Sequence, residues 1–302
     1  MAEPSNDLPL PRGAERPPSG LTRLSDRVRR IVAPNPSPFT FTGTCVYIVG
    51  EGEVAVIDPG PADPAHLDAL LAAIPGERVA RIVVTHSHRD HAAGAALLKQ
   101  RTGAPIVGAR AHVVAGGGPT RADASHALDY APDEALEDGA RVAGRGFTLE
   151  AVATPGHAAN HLSFALTEEN ALFSGDHVMA WSTSVIAPPD GSMRAYLASL
   201  EKVARRSEAI YWPGHGGPVR DPQGYARALI GHRRQREAAI LARLEAGEAS
   251  VAEIVAQVYP GLAPALVAAA SLSTLAHLED LIERGLASSD GAIALEARFR
   301  LA

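Results

Sequence analysis

The chain has 302 residues, 46% of them hydrophobic and 21% charged, which excludes a disordered, coiled-coil or disulfide-scaffold protein and allows a large buried core. Its single cysteine, Cys45, rules out an internal disulfide and a thiolate-built metal cage and suits a reducing compartment. The formal net charge of -6 leaves no basic footprint for nucleic acid over the chain as a whole.

Residues 1 to 20 hold five prolines and almost no periodicity, so they read as a disordered arm. They lack the apolar stretch of a signal peptide, and a cytoplasmic location is expected. From Leu21 the pattern turns to short β-type runs, CVYIVG at 45 to 50 and VAVID at 54 to 58. A helix is predicted from about Ala65 to Ala73, then a strand RIVVTH at 81 to 86, a helix at 92 to 101 and a strand PIVGA at 105 to 109. FTLEAVATPG (147 to 156), HLSFAL (161 to 166), ALFSGD (171 to 176) and AIYWPG (209 to 214) read as further strands, with a turn at Glu168, Glu169 and Asn170. Helices are predicted at 194 to 206 and 223 to 245. This mixture predicts an α/β layered catalytic domain over residues 21 to 245.

After Gly247 the pattern is helical. Ser250 reads as an N-cap, with Glu253 completing a capping box, and Pro260-Gly261 ends that helix. A second helix from about Ala263, a third from Ser271 to Glu283 and two short strands near 286 to 299 predict a winged-helix-like unit over residues 246 to 302. No run is expected to reach the roughly 20 apolar residues of a membrane-spanning helix, so no membrane partner is expected.

The chemistry gathers in THSHRDH, where His86, His88, Asp90 and His91 fall within six residues directly after a β-type run. Side chains at i and i+2 of an extended segment share a side, so His86 and His88 can share one ion while Asp90 and His91 lie on the next turn. Asp90 could instead cap the helix that begins HAAGAALL. Imidazole nitrogen with carboxylate oxygen suits zinc, with iron or manganese as alternatives. Three more candidates follow later strands: His157 in TPGHAANH, Asp176 in FSGDH and His215 in WPGHGG. Each sits on a small glycine-containing turn, as expected where strand ends converge at one sheet edge. Five histidines and two aspartates suffice for two metal ions with positions left open to water or substrate.

On these seven residues, which match HxHxDH, Gly-His, Gly-Asp and a second Gly-His, the chain resembles the metallo-β-lactamase superfamily. NPSPFTFTGTCVYIVG (35 to 50), IDPG (57 to 60), YLASLEKV (196 to 203) leading to YWPGHGGPV, the helix IGHRRQRE (230 to 237) and the terminal unit resemble the β-lactamase-like protein 2 family, from about residue 22 to the C-terminus. The resemblance implies an α/β fold, the αββα sandwich, with a small C-terminal winged-helix domain. It implies that His86, His88 and His157 hold a first metal, that Asp90, His91 and His215 hold a second, and that Asp176 bridges them. Two divalent cations sharing a water lower its pKa from about 15.7 to about 7 or below, which supplies hydroxide at neutral pH. Asp90 and Asp176 are therefore candidate catalytic residues as well as ligands. Two departures, Cys45 where relatives usually carry Asn and Ala158 where Thr is common, are expected to alter the rim of the site.

Asp58, at the end of a strand, reads either as a carboxylate orienting a ligand histidine or as a structural Asx-turn. His161 and His177 flank the ligand motifs and are candidate proton shuttles, with a satisfied packed histidine as the alternative for each. His66, His112, His126, His232 and His277 read as surface or packing residues, Gly116-Gly117-Gly118-Pro119 as a flexible loop and Cys45 as a packed residue.

The lead functional expectation is a dinuclear zinc hydrolase acting on the carbonyl of an ester, thioester or lactone, with a small-molecule acyl substrate. The alternative is an endoribonuclease or phosphodiesterase acting on single-stranded RNA, since animal members of the resembling family are endoribonucleases and winged helices often meet nucleic acid. From Arg233 to Ala302, however, seven Arg and no Lys face nine Asp plus Glu, a net of -2, where a phosphate-tracking domain would be basic. The winged helix is expected to wall one side of the cleft or to mediate a homodimer. A weak β-lactamase and a non-enzymatic metal-stabilised binding module are the remaining readings.

Overall fold

The computed structural model describes residues 15–111 and 126–302. Seven strands, β1 (Thr22–Arg23), β2 (Val28–Val32), β3 (Cys45–Glu51), β4 (Glu53–Ile57), β5 (Arg78–Val84), β6 (Ile106–Gly108) and β7 (Glu134–Ala135), form the first sheet in chain order. It is antiparallel through β4 and parallel from β4 to β7. The second sheet runs in the order β12-β11-β10-β9-β8, from β8 (Arg141–Gly144), β9 (Phe147–Ala153), β10 (Leu162–Leu166), β11 (Ala171–Gly175) and β12 (Ile210–Pro213). Helices α1 (Pro64–Ala72), α2 (Arg89–Ala92) and α3 (Gly94–Thr102) follow strands of the first sheet, and α4 (Met193–Val203) and α5 (Pro222–Glu245) flank β12 in sequence.

Residue alternation explains the layering. In β3, Cys45, Tyr47 and Val49 point between the sheets onto Phe147, Phe164 and Phe173, whereas Val46 and Ile48 pack beneath Leu67, Leu70 and Leu98 of α1 and α3. In β11, Phe173 joins the intersheet core and Leu172 faces Tyr196 and Leu200 of α4. Both sheets are thus covered on both faces, which is why their strands read as continuous apolar runs. The result is the αββα sandwich.

Several predicted elements differ. The helix expected at 92 to 101 is two helices, α2 and α3, joined through Ala93. Strands β2 and β8 were not predicted; VRRIV and RVAG each carry arginine, and in β2 the Arg30 side chain is itself buried at 2% exposure. Of the expected N-terminal arm, residues 1–14 lie outside the described residues, as do His112 and Gly116 to Pro119.

The C-terminal unit packs α6 (Val251–Val258) and α7 (Val267–Glu283) on the end of α5, beside a three-stranded sheet in the order β13-β15-β14, from β13 (Ala249–Ser250), β14 (Ala287–Ser289) and β15 (Arg298–Leu301). The Ser250 hydroxyl accepts from the Glu253 N–H, and the Glu253 carboxylate accepts from the Ser250 N–H at 2.7 Å, closing the predicted capping box. The two helices expected after Pro260 are a 3-10 turn, Pro264–Leu266, running into one helix, because Ser271 and Ser273 lie inside α7 rather than at a cap. The 20 residues Pro264–Glu283 are long and apolar enough to cross a membrane by length and composition, contrary to expectation. Their apolar residues Leu272, Leu275, Leu278 and Leu281 are buried in this fold, so the segment serves as a core helix.

Glu279 on α7 is half-buried, and burial together with Glu283 pushes its carboxyl up to about 7 from an ordinary 4.5. The folded state therefore binds the extra proton, and its stability falls as pH rises from about 4.5 through 7. Glu279→Gln removes this penalty. Thermal melts of the variant are expected to match the wild type at pH 5 and to exceed it by about 2–4 °C at pH 8.

Candidate metal centre

Four strand ends meet at one edge of the sandwich. The segment after β5 carries His86, His88, Asp90 and His91, and the loops after β9, β11 and β12 carry His157, Asp176 and His215. Backbone hydrogen bonds tie the two sheets together there, Leu162 N–H donating to Thr85 O at 2.8 Å and Cys45 N–H to Gly214 O at 2.7 Å, while Gly214 N–H donates to Gly175 O at 2.8 Å within the second sheet.

Four of the five histidines have one ring nitrogen hydrogen-bonded to a protein acceptor, and the fifth, His88, faces a carboxylate at ion-pair distance. Thr85 Oγ1 donates to Asp58 Oδ2 at 2.7 Å and so accepts from His86 Nδ1 at 2.9 Å. His91 Nδ1 meets Asp58 Oδ2 at 2.9 Å, His157 Nδ1 meets Val185 O at 2.7 Å and His215 Nδ1 meets Gly43 O at 3.2 Å. His88 Nε2 lies 3.5 Å from Asp190 Oδ2. Carboxylates and carbonyls only accept, so these ring nitrogens carry the protons and the opposite nitrogens present lone pairs.

Those lone pairs converge. His88 Nδ1 is 3.0 Å from His86 Nε2 and 3.1 Å from His157 Nε2. Across the site His91 Nε2 is 3.3 Å from His215 Nε2, and Asp90 Oδ2 lies 3.4 and 3.2 Å from these two nitrogens. Asp176 reaches both groups, with Oδ2 3.6 Å from His157 Nε2 and 3.4 Å from His215 Nε2, and Oδ1 3.4 Å from His91 Nε2. Lone pairs so arranged repel unless a cation lies among them. The corners of a tetrahedron around zinc, with bonds of about 2.0–2.1 Å, stand about 3.3 Å apart, so the donor set fits metal ions of that size. Asp176 Oδ1 is buried without a hydrogen-bond partner, a further sign of a ligand atom.

The electrostatics agree. Burial alone would lower His91 and His215, yet the carboxylates of Asp90 and Asp176 outweigh it, raising His91 well above its ordinary range and His215 to about 9. At His157 burial and the neighbouring His88 outweigh the pull of Asp176, and it falls to about 4. The pocket thus attracts positive charge on the Asp90, His91 and His215 side.

Asp58 orients His91 and anchors the loop: its Oδ1 accepts from Thr85 N–H at 2.8 Å, from a backbone held at φ 50°. It is the histidine-orienting carboxylate, not merely an Asx-turn. His161 and His177 are placed differently from a proton shuttle. His161 Nδ1 meets Thr154 Oγ1 at 2.8 Å, and its Nε2 accepts from Asp176 N–H at 3.1 Å, so both nitrogens are committed to holding the Asp176 turn. His177 is fully buried against Tyr196, with its carbonyl accepting from the Tyr196 hydroxyl. Cys45 and Ala158, expected at the rim, are fully buried behind it.

Two residues of the centre were missed. Asp190 sits in a Pro-Pro-Asp-Gly segment that reads from sequence only as a turn, yet its carboxylate faces both His88 and His126, 3.3 Å from His126 Nε2. His126, expected to be a surface or packing residue, has its ring 5.2 Å from that of His88 and its Nδ1 2.6 Å from Ser87 Oγ. A carboxylate behind a ligand histidine fixes its ring and raises its basicity. Asp190→Asn is therefore expected to weaken metal binding by about 10–100-fold, measured by competition with a chelating dye.

An αββα sandwich with a His/Asp centre at its strand ends defines a metal-dependent hydrolase. The metallo-beta-lactamase superfamily pattern matches residues 39–215, and the beta-lactamase associated winged helix domain matches residues 250–295. The chain belongs to the metallo-beta-lactamase superfamily. It is 32% identical over 244 residues to a beta-lactamase-like protein 2 homolog from Caenorhabditis elegans, covering 79% of this chain and 78% of that protein. It is 31% identical over 229 residues to the atrochrysone carboxyl ACP thioesterase of Aspergillus fumigatus, covering 74% and 66%. A metallo-beta-lactamase family protein of known structure from Thermus thermophilus superposes with a TM-score of 0.76 at 24% identity, over 93% of this chain and all of that one.

Proposed function

We propose that this hydrolase cleaves thioesters of apolar acyl groups at a centre of two zinc ions. His86, His88 and His157 would hold one ion and Asp90, His91 and His215 the other, with Asp176 between them. The chemistry such ions supply when bound is Lewis-acid polarisation of a carbonyl and acidification of a water. Asp58, Thr85, Asp190, Val185 O and Gly43 O orient the ligands, so little reorganisation accompanies reaction.

The observation that carries this reading is the cleft. A cavity of about 430 Å³ opens from His88, Asp90, His157 and Asp176, and its far wall is Tyr259, Leu262, Leu266, Ala269 and Ala270 of the winged-helix unit. An apolar wall facing a metal centre suits an acyl chain and excludes water from it. The thioesterase named among the relatives supports the same bond class. The lining is poor in the positive charge a polynucleotide needs: it holds one arginine, Arg233, and three aspartates, Asp90, Asp176 and Asp190.

Elemental analysis is expected to find two zinc equivalents per chain, and benzoyl and hexanoyl N-acetylcysteamine thioesters to be hydrolysed with loss of turnover after chelation. Cleavage of labelled single-stranded RNA by a preparation inert to every thioester and lactone would overturn the reading.

A further inference from the structure

The helix IGHRRQRE, singled out in the sequence, has no part in the metal centre. Arg233, on this helix, lines the cleft at 2% exposure. Its Nη2 donates to Ser184 O at 2.5 Å, its guanidinium lies 5.4 Å from the Tyr196 ring centre, and its Nε has no acceptor among the described residues. Among the described residues no carboxylate pairs with it. An always-charged side chain buried without a counter-ion is costly unless something else supplies the charge.

Its surroundings add positive charge. Arg236 is also buried, donating to Val258 O and stacking over Tyr259. Burial followed by the charges of Arg233 and Arg236 holds His232 at about 3, and His277 is held at about 3 by burial and the same arginines with His232 and Arg284. The nearby acids are committed elsewhere, Asp280 to Arg194 and Arg284, and Glu237 to Arg284. Among the described residues His232 Nδ1 and both nitrogens of His277 are buried without hydrogen-bond partners. Arg233 and His232 line the cleft, and Arg236 donates to His232 Nε2 at 3.2 Å. Asp90, Asp176 and Asp190 line the same cleft at the metal centre, but among the described residues no carboxylate pairs with Arg233, so this cationic corner is suited to a ligand that brings the negative charge.

We propose that Arg233, supported by His232 and Arg236, is an anion subsite of the cleft that binds an anionic oxygen group of the thioester substrate remote from the scissile carbonyl. The inference rests on the thioesterase reading. The group is either a carboxylate on the acyl part or a phosphate on the thiol carrier; a guanidinium binds both through charge-assisted N–H donors.

The test uses the metal-loaded protein and two matched pairs of thioesters. The first pair is benzoyl and 4-carboxybenzoyl N-acetylcysteamine. The second is benzoyl pantetheine and benzoyl 4′-phosphopantetheine. The anionic member of one pair is expected to show a KM about 10–100-fold lower than its neutral partner, and Arg233→Gln to bring that ratio near one. The pair that responds identifies the source of the charge. Arg233→Lys, which keeps the cation, is expected to keep part of the preference, and zinc content of both variants reports whether the Ser184 segment still supports the centre. Equal KM values within both pairs, or a preference that survives Arg233→Gln, would overturn the subsite. If no thioester is turned over, the thioesterase reading fails, and calorimetric binding of the corresponding thioether analogues decides the subsite by the same ratios.

Discussion

Asp176→Ala is expected to lose bound metal and hydrolase activity together, with turnover down by about 10³-fold or more. Among the described residues Asp176 is the one carboxylate within reach of both nitrogen groups, standing 3.6 Å from His157 Nε2 and 3.4 Å from His215 Nε2. Its removal leaves two sets of converging nitrogens without the negative charge between them. The upward pull it exerts on His91 and His215 is lost with it. The check is elemental analysis of zinc alongside thioester turnover. A variant that retains two equivalents and wild-type turnover would remove Asp176 from the centre.

Gly214→Ala is expected to have an effect nearly as large, although the residue contributes no ligand. A Cβ there would stand 2.5 Å from Asp176 Oδ1 and 2.6 Å from His91 Cε1, distances that side-chain atoms do not adopt. Neither neighbour can yield easily, since Asp58 grips His91 and the Asp176 turn is held by His161. The methyl group must therefore displace a ligand, and metal content is expected to fall in parallel with activity while the far-ultraviolet circular dichroism stays that of a folded chain. Gly231→Ala is the control, because a Cβ on that helical glycine meets nothing within 4 Å.

The sequence by itself determined the elements whose signals are local. Alternating apolar runs with turn residues after them gave the strands and the places where they end, and THSHRDH set four candidate ligands on one strand end because i and i+2 side chains share a face. The capping box at Ser250 was equally readable, since both partners lie within three residues. Where sequence adjacency was used in place of contact it misled: His161 and His177 border ligand motifs, but their rings point to Thr154, to the Asp176 backbone and to Tyr196. Only the tertiary structure decided that Asp190 and His126 stand behind His88, that Asp58 holds His91, and that Arg233 lines the cleft beside the metal centre with no carboxylate paired to it among the described residues. It also decided that Ser271 continues a helix instead of starting one, because burial of Leu272, Leu275 and Leu278 outweighs the weak local preference of serine for a cap. The physical reason is common to these cases. A single residue's propensity is worth a few tenths of a kcal/mol to about 1 kcal/mol, whereas burial and charge pairing are set by partners that chain closure brings from distant segments.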